Sequence, residues 1–172
     1  MILVVGGVSG SGKTTVGALL AGRLGWRFAD ADAFHPDANV AKMRSGIPLT
    51  DADRLPWLRT VAAWMDARIA HGESAVVACS VLKRSYRDLL LDGRRDCVLM
   101  AYLDVPREEL ERRLTSRHGH FFPRQLLASQ LSALERPTPD EGVLTVPVAG
   151  DAGKTADRVL AAVKASGHNL DA

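Results

Sequence analysis

Gly7-Val8-Ser9-Gly10-Ser11-Gly12-Lys13-Thr14, directly behind the apolar run Ile2-Leu3-Val4-Val5 and ahead of a helix-like segment, constrains this chain more than any other stretch of it. The eight residues satisfy the Walker A pattern, a glycine-rich turn from a buried strand into a helix. Its glycines let successive backbone N–H groups form a nest around phosphate oxygens, and the following helix presents the positive end of its dipole to the same point. The expected ligand is a nucleoside triphosphate such as ATP, bound along Gly7 to Thr15, with Lys13 reaching the β- and γ-phosphates and Thr14 the Mg²⁺.

At 172 residues the chain has the size of one domain, 1–172, large enough to bury a real core. Hydrophobic residues make up 47% and no apolar run is long enough to span a bilayer, so a soluble protein with no membrane partner is expected. A net charge of +2 from well-mixed signs leaves no basic stripe, which argues against a nucleic-acid partner. The first five residues lack a basic leader and break off in the glycine loop; they do not read as a signal peptide, and the expected location is cytoplasmic. Cys79 and Cys97, in apolar runs without metal-ligand spacing, read as buried core thiols.

Short apolar runs alternate with helical patterns, which predicts an α/β fold: a five-stranded parallel sheet flanked by helices. The strands are expected at 2–5, 26–29, 75–79, 97–103 and 143–148. Pro147 cannot donate to a ladder, so the fifth should lie at a sheet edge. Helices are expected at 13–24 and 54–71, each ended by a glycine, and at about 106–116, 123–134 and 154–165. Ligands of such sheets sit beyond the carboxyl ends of the strands, which directs attention to the residues just after each strand.

After the second strand come Asp30 and Asp32, which in extended chain project to one side. Asp30 suits the metal and Asp32 suits orienting an attacking hydroxyl, while turn capping is the plainer role for both. His35 before Pro36 either bonds a polyol or anchors the loop. Residues 34–54 read as a substrate-covering insertion, with Lys42 and Arg54 as contacts for an anionic acceptor and Thr50 or Asp51 as the cap of the next helix. That helix carries Trp57, Leu58, Val61 and Trp64 at core spacing. After the third strand, Lys83 and Arg84 form a pair of cations suited to a carboxylate, at a helix start where the dipole disfavours them. After the fourth, residues 113–124 read as a lid, with Arg113 and Arg117 four apart on one face and able to close on the phosphates while water is excluded. His118 and His120 lack the partners of a zinc site. The stretch 148–152 is expected to pass main chain under the adenine.

Several stretches resemble the bacterial-type gluconokinases, among small P-loop metabolite kinases with a nucleoside-monophosphate-kinase-like fold. They are 32–36, 39–43, 46–51, 53–58, 82–88 and Gly119-His120-Phe121-Phe122-Pro123, beyond the glycine loop itself. The resemblance implies ATP- and Mg²⁺-dependent phosphorylation of the 6-hydroxyl of D-gluconate, and a homodimer. Lys13, Asp32 and Arg117 would then carry catalysis, and Asp32, His35, Lys42, Arg54, Lys83 and Arg84 would hold the acceptor. Shikimate kinases are similar in the glycine loop, the paired aspartates and the arginine lid, but this chain has Ser80 and Lys83-Arg84 in place of their glycine-rich turn. A nucleotide-binding regulator without an acceptor and a nucleoside monophosphate kinase are the rival readings.

Overall fold

The computed structural model describes residues 1–116, 124–148 and 150–170. The strands are β1 (Ile2–Gly6), β2 (Arg27–Asp30), β3 (Ala75–Cys79), β4 (Val98–Asp104) and β5 (Leu144–Pro147). They form one parallel sheet in the order β2-β3-β1-β4-β5. The strand holding Pro147 is an edge, as the missing N–H requires. Seven helices are described: α1 (Lys13–Leu24), α2 (Asp37–Arg44), α3 (Asp51–Ala70), α4 (Arg84–Leu91), α5 (Arg107–Ser116), α6 (Arg124–Ala133) and α7 (Ala152–Ala165).

Alternation along the central strands divides the core in two. Ile2, Val4, Val77, Cys79 and Met100 face the side covered by α3 and α4, where Trp57, Leu58, Val61, Met65, Tyr86 and Leu90 are buried. Leu3, Val5, Val76, Ala101 and Leu103 face the other side, against Val16 and Leu20 of α1 and Val159 and Val163 of α7. Strands covered on both faces have no polar side to display, hence their continuous apolar sequences.

Strand and helix positions agree with expectation to within a few residues, but three local readings are corrected. Residues 37–44, within the stretch read as an insertion and given no helix, form α2, whose sequence DANVAKMR is too polar to carry an apolar stripe. The helix expected from Arg54 starts at Asp51, because Thr50 caps it: the Thr50 hydroxyl accepts from Asp53 N–H at 3.3 Å while the Asp53 carboxylate accepts from Thr50 N–H at 2.9 Å. Cys79 is fully buried but Cys97, at the mouth of β4, is only partly so.

Candidate active site

Between β1 and α1 the chain turns through residues 7–12, where Gly7, Gly10 and Gly12 all have positive φ. Gly12, the N-cap of α1, has φ +91°, in the left-handed region that side chains resist. A Cβ on Gly7 would stand 2.5 Å from Ser11 Oγ. That Ser11 hydroxyl is buried and has no hydrogen-bond partner, while Lys13, 9% exposed, makes no hydrogen bond or ion pair among the described residues. An orphaned hydroxyl and a nearly buried ammonium beside a helix N-terminus are costly alone and fit a bound oxyanion.

The carboxylates after β2 lie at the same end of the sheet. Asp30 Oδ2 accepts from Thr14 Oγ1 at 2.8 Å, and its Oδ1 accepts from Asp32 N–H at 3.0 Å. Asp30 therefore caps the following turn and also meets the Thr14 hydroxyl, the group expected near a metal. Two hard oxygen groups joined in this way fit Mg²⁺, which takes few protein ligands and completes its shell with water and phosphate. The extended geometry expected for 30–32 is not found, because Ala31–Phe34 form a 3₁₀ turn. Trp57 Nε1 donates to Ala31 O at 2.7 Å and fixes that turn, leaving the Asp32 side chain 61% exposed.

His35 stacks on Trp57 with ring centroids 4.1 Å apart, and its Nδ1 lies 3.2 Å from Asn39 Nδ2. Its Nε2 is 4.0 Å from Asp32 Oδ1. Burial holds the imidazole below its ordinary pKa; Asp32 opposes this and Arg54 adds to it. His35 thus anchors the loop, while its second nitrogen points to the Asp32 carboxylate.

Lys42 and Lys83 are held by acids of α3. Lys42 Nζ donates to Asp53 at 2.6 Å, and with the Thr50 bonds this lowers the Asp53 carboxyl to about 2. Lys83 Nζ donates to both Asp51 oxygens at 2.8 Å, and the Tyr86 hydroxyl donates to the same carboxylate. These contacts, Lys83 first, pull Asp51 below the ordinary carboxylate range, while burial pushes the Tyr86 phenol up. Arg54 Nε donates to Leu49 O at 3.4 Å, and its charge acts on His35, Asp51 and Tyr86, which sets it among them.

Lys83 and Arg84 do not form the expected fork. Lys83 turns to α3, whereas the Arg84 guanidinium lies 2.8 Å from Asp140. Adjacent residues at a helix start point in different directions, so spacing alone did not bring them together. The acid missing from this N-terminus is supplied from a distance: Glu135 Oε2 accepts from Arg84 N–H at 2.7 Å.

On the other side of the glycine loop, a cavity of about 290 Å³ extends from Gly10, Gly12 and Thr15 past Arg113 to Val148, Gly150 and Asp151. Arg113 donates to Glu109 at 2.7 Å and to Ser11 O at 3.4 Å. Arg117, His118, His120 and Ala149 lie outside the described residues. Sequence reading missed Asp51 and Asp53 as partners of the cations, although the Thr50-x-x-Asp53 cap spacing was visible. It also missed Gln130, whose Oε1 accepts from Ser9 N–H in the glycine loop at 2.8 Å; a single amide on a helix carries no such signal.

The AAA domain family matches residues 2–137. A curated gluconokinase of Gluconobacter oxydans is 52% identical over 84% of this chain and 80% of its own length. Among solved structures, a sugar kinase from Janibacter sp. superposes with TM-score 0.87 at 47% identity, over 95% of this chain and 94% of that one. A gluconokinase from Sinorhizobium meliloti superposes at 0.85 with 41% identity, over 95% and 91%. Fold, phosphate nest and paired oxygens, with these likenesses, define an ATP-dependent P-loop kinase. Within that class the chain belongs to the gluconokinase family.

Proposed function

We propose that the protein transfers the γ-phosphoryl group of Mg·ATP to the 6-hydroxyl of D-gluconate, giving 6-phospho-D-gluconate. The observation that carries this is the grip of Lys83 on both oxygens of a carboxylate, on the acceptor side of the Asp30–Asp32 turn from the phosphate nest. A cation that already binds a carboxylate in this way suits the carboxylate end of a sugar acid. Held at that end, the chain of hydroxyls would present its far end to the glycine loop.

In this reading Lys13, the 7–15 backbone, Arg113 and Arg117 neutralise charge on the transferred group, and residues 113–124 act as the lid. Thr14 and Asp30 would hold Mg²⁺, which when bound would offset phosphate charge. Asp32 orients the attacking hydroxyl and can take its proton, with His35 fixing the turn that carries it. Lys42 and Arg54, in the 34–54 insertion, complete the acceptor side. Arg84 is better read as a brace on Asp140 than as a substrate ligand. The adenine is assigned to the cavity at 148–152.

Resemblance to gluconokinases supports a cytoplasmic homodimer, and no helix among the described residues is long and apolar enough to cross a membrane. The test is ADP release with Mg·ATP across gluconate, epimeric sugar acids, shikimate, nucleoside monophosphates and no acceptor. Turnover with gluconate alone is expected. Turnover with another acceptor instead would overturn the substrate, and none with any acceptor would overturn the kinase reading.

A further inference from the structure

The contact between Gln130 and Ser9 joins residues 121 apart in the chain, and it puts a side chain of α6 on the rim of the phosphate nest. The C-terminal end of α6, just beyond Gln130, is fastened to the acceptor side. Glu135, two residues past α6, donates its N–H to Leu82 O at 2.8 Å and accepts from Arg84 N–H at 2.7 Å, and its carbonyl accepts from Arg87 Nη1 at 2.8 Å. Arg87 is fully buried and held in turn by both oxygens of Glu141 at 2.6 and 2.9 Å. Residues 82–87, which include Lys83, are therefore bound to the chain just past the C-terminus of α6, and the third residue of the glycine loop is bound to the last turn of the same helix, five residues earlier.

We infer that Gln130 is a positioning residue: its hydrogen bond to Ser9 N–H sets the distance between the phosphate nest and the Lys83 segment, so that the acceptor hydroxyl arrives in line with the phosphoryl group. Two features support a specific role. The acceptor is a neutral amide oxygen, so the backbone N–H is satisfied without placing negative charge next to the triphosphate. The amide nitrogen of the same group, carrying two donors, is fixed within about 5 Å of Ser9 N by covalent geometry alone. It makes no other hydrogen bond among the described residues. In-line transfer is steep in distance, so loosening this link should slow the chemical step more than binding.

The inference rests on the phosphoryl-transfer reading above but not on gluconate as the acceptor. Gln130→Met keeps side-chain length and helix propensity and removes the oxygen. Expected are a kcat lowered by about tenfold, KM values for ATP and acceptor within about twofold, and a larger share of ADP released without phosphorylated product. Amide hydrogen exchange of Ser9 should quicken while that of β1 and β3 is unchanged. A kcat within about twofold of the native enzyme, or a loss of kcat matched by a fall in Tm and faster exchange throughout the sheet, would overturn the role. If the native protein turns over a different acceptor, the same comparison is run with that one, and the Ser9 exchange reads the contact whatever the acceptor is.

Discussion

Thr14 and Asp30, sixteen residues apart, share a 2.8 Å hydrogen bond that joins the first turn of α1 to the end of β2. The Asp32 side chain, on the next turn, makes no such bond among the described residues and stays largely exposed. The two aspartates should therefore fail differently. Asp30→Asn is expected to raise the Mg²⁺ concentration needed for half-maximal rate by about tenfold or more. Asp32→Asn is expected to cut kcat by more than about tenfold with nucleotide affinity nearly kept. Titration of rate against Mg²⁺, with nucleotide binding measured separately, checks both, and an unchanged turnover in the Asp32 variant would remove it from the mechanism.

Lys83 and Arg84 are neighbours with different partners, so substituting them distinguishes an acceptor ligand from a brace. Lys83→Ala should raise KM for gluconate by about tenfold or more, the size of a lost charge-assisted bond, with KM for ATP unchanged. Arg84→Ala should change KM for gluconate by less than about twofold. Equal effects of the two would return them to a shared carboxylate site.

Arg87 and Glu141 form an ion pair with side chains 0% and 1% exposed. The guanidinium also meets the carbonyls of Val81, Leu82 and Glu135. Removing one partner leaves a buried charge uncompensated, which costs about 3–5 kcal/mol. Arg87→Met should lower Tm by about 10 °C, measured by calorimetry, since each kcal/mol is worth about 2–4 °C at this size. A Tm within about 2 °C of the native value would mean that water reaches the pair.

His35 and Asp53 are among the groups that shape stability against pH. His35 has a folded pKa below the ordinary 6.5, so its contribution is complete above that value and declines as pH falls below it. Asp53 is lowered from 3.8 to about 2, so its contribution is complete above 3.8 and is lost as pH falls toward 2. Tm should fall in two stages on acidification. His35→Phe, which keeps an aromatic ring on Trp57, should flatten the first stage, and Asp53→Asn should lessen the second, to which Asp51 and Glu141, also held below the ordinary carboxylate range, contribute. Persistence of the first stage in the His35 variant would assign it to another group.

Local chemistry made much of this protein legible from its sequence. The glycine loop, the apolar runs of β1, β3 and β4 and the glycine stops after α1 and α3 act within a few residues, so their sequence spells their conformation. The stretches around Asp32, Gly46 and Lys83 were specific enough to point to the family. Pairings across the chain were decided by tertiary structure: Lys83 with Asp51, Arg84 with Asp140, Ser9 with Gln130, Arg87 with Glu141. Each joins groups that no local pattern links, and each depends on the sheet order bringing strand ends together. Adjacent side chains at the start of α4 could have converged or diverged with the same sequence; burial of Arg87 and the acids waiting on α3 and at 140–141 made them diverge.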